Sequence, residues 1–510
     1  VNLATALLAT AATDPERVAL AGPAPVSYGD LAGHAAVVAA HLEGIARPGD
    51  RVAVLAGNEP AFVAAYLGVL LAGAVAVPLN TGSPSHELVV ELDAVEPVLV
   101  LASAGCADLA RRAGAQRGNA IDVAIVDDLT AGAKTPATTA VPRDAQDLAV
   151  LLFTAGTAGA PKPAMLTHGS LLANLEQMQS HPGLRIEPTD VALGVLPLFH
   201  VYGLNVVLGL ALHAGASVSL LEHFHPVETL ARVQQDRVTV VAAVPAVYDA
   251  WLALDEEAAP RDALAGVRLC ASGATTLHDA TADSMHRRFG IVVHDGYGLT
   301  EASPVVTTTA VGSEPRAGSI GPPLPGVEVE LLDRDGNPVL EGDPGEIVVR
   351  GANVFAGYWR DPESTAAVLV GGRLHTGDIA VAGPDGWLTL VDRAKDVIIV
   401  SGFNVFPGEV EDALRTHPDV VDVAVVGEPH PRTGETVVAY VVAREGRAPD
   451  PVELLRHAGR RLARYKLPTR VDVVDALPRT FAGKLVRREL SSPADTTAGR
   501  FADEQTTKPA

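Results

Sequence analysis

Up to about residue 390, short apolar runs at 51–55, 98–101, 123–126, 217–221 and 238–242 alternate with stretches of helical character. Strand followed by helix, repeated, predicts parallel sheets covered by helices on both faces. The uncharged run 61–77 is interrupted by Gly68 and Gly73 and falls short of the roughly 20 residues that cross a bilayer. It predicts a buried helix ending near Gly73 and then a strand over 74–79. Residues 201–221 have the same character, broken by Asn205 and His213, and residues 3–12 read as an amphipathic helix.

From Gly318 the texture changes. Short strands at 327–333, 345–350 and 387–392 are separated by Gly, Pro and Asp turns, which predicts an antiparallel or barrel-like piece over about 318–392. After Asp392 comes helix 407–415, strands 420–427 and 436–443, helix 451–462 and strand 470–474, a small α+β domain. The expected organisation is therefore α/β: a large N-terminal domain over 1–394 built from parallel α/β subdomains with the barrel-like portion, and a smaller C-terminal domain over 395–490. Residues 491–510 are polar, with little to bury, and are expected to be a disordered tail.

Composition narrows the partners. A chain of 510 residues requires more than one core, and a net charge of −22 repels nucleic acid and anionic membrane. The exception is 451–490, where ten basic side chains face four acidic ones and form a patch suited to phosphate groups. Cys106 and Cys270 lack metal-site spacing and read as small buried apolar side chains in a reducing compartment. The first basic residue is Arg17, so the apolar start lacks the charged segment of a signal peptide, and a cytoplasmic protein without a membrane-spanning segment is expected.

Candidate chemistry begins at the apolar strand 148–153, which runs into Thr154, Ala155, Gly156, Thr157, Ala158, Gly159, Ala160, Pro161 and Lys162. Glycines let backbone N–H groups converge on an anion, the threonines add hydroxyl donors, and Lys162 adds a point charge for a terminal phosphate. It is not a Walker A loop, because Pro161 stands where glycine is needed and Pro163 where Ser or Thr would hold the metal.

Four more segments follow in order. Asp295, Gly296, Tyr297, Gly298, Leu299, Thr300 and Glu301 offer an aromatic face, a hydroxyl and a carboxylate suited to a nucleotide and Mg2+. His375–Thr376–Gly377–Asp378 places a carboxylate where ribose hydroxyls can donate. Arg393 and Lys395 lead into Gly402, and Lys484 lies in 478–487.

These five segments, in this order between residues 151 and 490, resemble the adenylate-forming superfamily of acyl-CoA synthetases, stand-alone adenylation domains and beetle luciferases. Leu196 to His200 and Gly351 to Arg360 also look like family stretches. The resemblance implies that a carboxylate attacks the α-phosphate of ATP, giving acyl-AMP and pyrophosphate, and that the thiol of CoA then displaces AMP. It implies that Thr154 to Lys162 hold the β and γ phosphates, Thr300 the α-phosphate and Glu301 the Mg2+. Tyr297 would stack on adenine beside Asp295, Gly296, Gly273 and Ala274. Asp378 and Arg393 would hold the ribose, and Lys484 would bridge carboxylate and phosphate during adenylation. A mobile C-terminal domain, hinged at Lys395, would then bring the Gly402 loop to the CoA path. Ala155 and Ala158 stand where the family usually carries Ser or Thr. Each lost hydroxyl is worth about 1 kcal/mol net.

The acyl pocket is expected between three apolar or weakly polar segments: His200, Tyr202 and Gly203; Pro245, Ala246 and Val247; and Thr275 with its neighbours, closed by Gly298. His200 reads as a gate over the acyl and thiol paths. No Asp stands beside it to bind an amino-acid ammonium, and Arg268 and Arg287, the nearest candidates for a second carboxylate, lie outside the three segments. A medium- to long-chain fatty acid is the first expectation. The alternatives are an aryl or cinnamate-type acid, a carrier-protein thiol in place of CoA, and a non-catalytic acyl- or nucleotide-binding homologue.

Overall fold

The computed structural model describes residues 2–117, 121–132, 139–154, 162–311, 316, 318–393, 396–400, 403–430, 432–479 and 485–490. The chain divides into two units, Val1–Leu390 and Val391–Ala510, with the boundary inside the strand Leu388–Arg393.

The first unit contains two largely parallel sheets. In one, Val123–Ile125, Leu99–Ala102, Arg51–Leu55, Val75–Pro78 and Leu148–Thr154 lie side by side, and Lys162–Thr167 closes the edge antiparallel to Leu148–Thr154. In the other, Val293–Gly298, Leu269–Ser272, Val240–Ala243, Val191–Gly194, Ser217–Leu220 and Val18–Ala21 run parallel, with antiparallel strands at both ends. The expected antiparallel piece is a six-stranded sheet from Ser319–Gly321 to Leu388–Arg393.

Run 61–77 folds as the patterning requires. The helix Pro60–Leu71 is buried on every side from Ala61 onward, as a helix apolar all round must be, and the strand Val75–Pro78 follows. Gly68 allows it to touch the helix Tyr28–Leu42: a Cβ there would lie 2.5 Å from Cβ of Val38 and 2.8 Å from the Ala35 carbonyl. Residues 3–12 form two short helices, Leu3–Leu7 and Ala9–Thr13, where one was expected. Cys106 is only half-buried, whereas Cys270 is buried; both are free thiols. Among the described residues no helix is long and apolar enough to cross a membrane.

In the sheet of the second unit Gly434–Ala443 is the central strand, antiparallel to Val420–His430 and to Ile398–Val400 and parallel to Arg470–Val474, and Phe403–Val405 pairs with Ile398–Val400. The helices Pro407–Arg415 and Pro451–Ala458 bury Val410, Leu414, Leu454 and Ala458 in its separate core.

Candidate active site

Thr154 ends one strand and Lys162 begins the next, paired across the antiparallel ladder, with Thr154 Oγ1 donating to the Lys162 carbonyl at 3.2 Å. The segment thus connects two antiparallel strands and does not lead from strand to helix. Its middle, Ala155, Gly156, Thr157, Ala158, Gly159, Ala160 and Pro161, lies outside the described residues. Pro163 sits on the edge strand Lys162–Thr167, where a missing N–H is tolerated, and its carbonyl accepts from Trp359 N at 2.8 Å. The Lys162 ammonium lies 3.3 Å from Asp361 Oδ2, donates to Ser364 Oγ, and stands 5.6 Å from the centroid of the Tyr358 ring. Asp361 also caps the helix Pro362–Val368 by accepting from Ser364 N. These Ser364 contacts are the largest cause holding the Asp361 carboxyl below its usual range, and Lys162 adds to them.

Thr300 and Glu301 open a single 3₁₀ turn, Thr300–Ala302. Glu301 Oε1 accepts from the Tyr358 hydroxyl at 2.8 Å. Burial first, and then the Glu301 charge, push that phenol far above its ordinary pKa, so it remains a donor. The turn is anchored by side chains that sequence reading did not assign. Asn353 Nδ2 donates to the Ala302 carbonyl at 2.9 Å, and Asn205 Nδ2 to the Ser303 carbonyl at 2.8 Å. Asn174 exchanges two hydrogen bonds with the backbone of Val305. All three amides are buried, and Ser303 takes a left-handed φ of 65° between them. The available signal was an amide inside an apolar run, as at Asn205.

Tyr297 and Asp378 are brought together, with the phenol donating to Oδ2 at 2.7 Å. Asp378 lies within the strand Arg373–Ala382 and not in a turn, at a register irregularity against Pro344–Gly351, and the N–H of Gly377 and the ring of His375 are both held by Glu346. Asp295 stands on the strand Val293–Gly298, accepts from Gly296 N at 3.0 Å, and is anchored by Thr309 through its backbone. Burial raises its carboxyl to about 7.

The expected pocket segments lie next to one another: Ala243 pairs with Ser272 on neighbouring parallel strands, and the Tyr248 hydroxyl donates to the Ala271 carbonyl at 2.6 Å. Tyr202 begins a π-helical stretch, Tyr202–Gly209, and its ring packs on Gly273, where a Cβ would lie 3.2 Å from Cε1. Gly203 is more tightly constrained, since a Cβ would come within 2.3 Å of the Pro197 carbonyl oxygen. At the start of the helix Pro245–Leu252, Pro245 and Val247 are buried while Ala246 is exposed. Ala274 is exposed in a left-handed conformation that a non-glycine residue adopts only at a cost, and Thr275 is half-buried beside it. Gly298 is obligatory, because a Cβ there would lie 2.2 Å from the Pro304 carbonyl. His200 Nδ1 accepts from Tyr202 N at 3.3 Å. Arg268 forms a forked pair with the buried Asp190, and Arg287 donates to Ser284 on an exposed surface.

In the second unit, Lys395, Gly402 and Lys484 lie outside the described residues, as does the tail 491–510, and Arg393 is described only as strand backbone.

The sequence matches the model described as AMP-binding enzyme over residues 7–359, and that described as AMP-binding enzyme C-terminal domain over 409–484. It is 33% identical over 528 residues to a long-chain-fatty-acid–CoA ligase of Bacillus subtilis, covering 96% of this chain and 94% of the relative. It is 38% identical over 482 residues to a feruloyl-CoA synthase of an Amycolatopsis species, covering 92% and 94%. The solved structure of ATP-bound MatB from Rhodopseudomonas palustris superposes with a TM-score of 0.89 at 33% identity, covering 96% of this chain and 98% of that one.

Proposed function

The chain belongs to the AMP-binding enzyme family, and from that premise we propose that it activates a medium- to long-chain fatty acid. It is an AMP-forming acid–thiol ligase, and its co-substrates are ATP, Mg2+ and CoA. The observation that carries the acid assignment is the absence of an available charge in the expected pocket segments. Tyr202, Gly203, Pro245, Val247 and Gly273 are uncharged, and Arg268, a candidate for a second carboxylate, is bound to Asp190. A hydrocarbon tail loses nothing in such surroundings, whereas a second carboxylate or an ammonium would be buried without a partner.

The donor set fits Mg2+. Among the described residues no group of three or more His, Cys, Asp or Glu side chains converges on a metal position. A single carboxylate, Glu301, suits a hard cation held mainly by phosphate oxygens and water. Bound there, Mg2+ supplies charge neutralisation for the triphosphate. The chain's own residues do the rest in this reading. Lys162 and Thr154 hold the outer phosphates, Thr300 the α-phosphate, Tyr297 the adenine face and Asp378 the ribose. The transition state is crowded with negative charge, so fixed N–H donors and cations are the effective catalysts. Lys484, Arg393, Lys395 and Gly402 keep the roles implied by resemblance.

A second reading, an aryl or cinnamate-type acid, is favoured by the 38% identity to the Amycolatopsis feruloyl-CoA synthase. Pyrophosphate release measured across fatty, aryl and dicarboxylic acids, with and without CoA, separates the two. Fatty acids give the highest kcat/KM and yield acyl-CoA if the proposal holds. Preference for ferulate or benzoate replaces it with the second reading, and acid-dependent pyrophosphate release without acyl-CoA points to a carrier-protein acceptor.

A further inference from the structure

We propose that Tyr358 is the positioning residue for the Glu301 carboxylate, holding it ready for the cation that accompanies the nucleotide; the inference rests on the reading of Glu301 given above. Tyr358 lies in the family-like stretch Gly351 to Arg360, where no role was assigned to it, and it touches both phosphate-facing motifs. Its hydroxyl donates to Glu301 Oε1 at 2.8 Å, and the Lys162 ammonium stands 5.6 Å from its ring centroid. The ion pair of Lys162 is with Asp361. The tyrosine is thus in contact with a lysine and a glutamate of opposite charge at once. A direct pair would neutralise both groups that the reaction needs, one for phosphate and one for Mg2+. An aromatic face toward the ammonium and a hydroxyl toward the carboxylate satisfy each while keeping them apart.

The rest of the segment makes Tyr358 rigid. Phe355 N donates to the Glu301 carbonyl at 2.9 Å, and the Phe355 ring meets Tyr358 edge-on at 5.1 Å. Met165 N donates to the Gly357 carbonyl, Ala356 N to the Met165 carbonyl, and Trp359 N to the Pro163 carbonyl. Tyr358 N itself donates to Thr365 Oγ1 at 2.9 Å. Gly357 permits the approach: its φ is +118°, and a Cβ would lie 2.5 Å from Thr365 Cγ2. Residues 355–361 are therefore a strap stitched to the edge strand after the phosphate segment and to the Glu301 turn. Tyr358 is the side chain on that strap aimed at the carboxylate. With Oε1 engaged by a neutral donor, the carboxylate is held in one orientation, which is how a supporting shell prepares a metal ligand.

The test is the coupling between Mg2+ and nucleotide in the full chain, read by calorimetry with the unreactive probe α,β-methylene-ATP, in EDTA and in saturating Mg2+. In Tyr358→Phe, which removes only the hydroxyl, the gain in nucleotide affinity on adding Mg2+ shrinks about tenfold relative to wild type. Affinity in EDTA and the melting temperature stay at wild-type values. An unchanged Mg2+ gain in the variant overturns the proposal, and so does a parallel loss in EDTA and in Mg2+, which would mark the hydroxyl as packing alone. If the wild type itself gains nothing from Mg2+, the reading of Glu301 fails and takes this inference with it.

Discussion

Replacing Lys162 by Met should weaken the use of ATP strongly while leaving the fold intact, and the two magnitudes follow from different parts of its environment. In the structure the ammonium is paired with Asp361 at 3.3 Å, with the two side chains 38% and 33% exposed. Solvent screens a pair this exposed, so losing it costs little stability. Against a phosphate oxygen the same ammonium makes a charge-assisted hydrogen bond worth about 1.5–3 kcal/mol net, a loss of roughly 10- to 150-fold in kcat/KM for ATP. The structure adds a second arm of opposite sign. Asp361 competes with ATP for the lysine, so Asp361→Asn, which retains the ability to cap the helix Pro362–Val368, lowers the ATP KM by up to roughly fivefold. The assay is steady-state pyrophosphate release against ATP concentration, with thermal melting as the control. A Lys162→Met enzyme within twofold of wild-type kcat/KM, or an Asp361→Asn enzyme with a raised ATP KM, refutes the reasoning.

Three further outcomes are expected. Asp295, raised by burial from 3.8 to about 7, lends stability that is fully present below pH 3.8 and is lost as pH rises until the folded carboxyl ionises near 7. The loss is at most about 4 kcal/mol, so Asp295→Asn flattens the fall in urea-unfolding midpoint between pH 5 and pH 8, and equal slopes in both proteins contradict this. Pro163→Gly frees the backbone next to the phosphate segment and shifts the pyrophosphate-release rate or the ATP KM, whereas unchanged values show that its stiffness is irrelevant. Lys484→Ala lowers adenylation by orders of magnitude and spares CoA attack on supplied acyl-AMP; equal loss of both half-reactions removes the special role of this lysine.

What was legible in the sequence was local. The alternation of apolar runs gave the parallel sheets, and the all-round apolar character of 61–71 gave a buried helix. Gly298 and Gly273 stood out as glycines within motifs, and their environments explain why: a carbonyl and a tyrosine ring lie where their side chains would be. What was not legible depends on contacts far apart in sequence. Asn353 and Asn205 hold the Glu301 turn through backbone carbonyls 51 and 98 positions away, and Tyr358 reaches Glu301 across 57. A polar residue in an apolar run indicates that something is satisfied there, but its partner is fixed only by the fold. The π-helical winding of Tyr202–Gly209 was also hidden, because an apolar run this dense reads as a buried helix whatever its hydrogen-bond register.

The account turns on an acid with an uncharged hydrocarbon tail becoming a CoA thioester. The most direct measurement is a competition: equimolar dodecanoate, ferulate, benzoate and malonate with limiting ATP, Mg2+ and CoA, and the thioesters quantified by mass spectrometry. The account predicts that dodecanoyl-CoA dominates and that AMP and pyrophosphate form in equal amounts. A product mixture dominated by feruloyl-CoA, benzoyl-CoA or malonyl-CoA would contradict it.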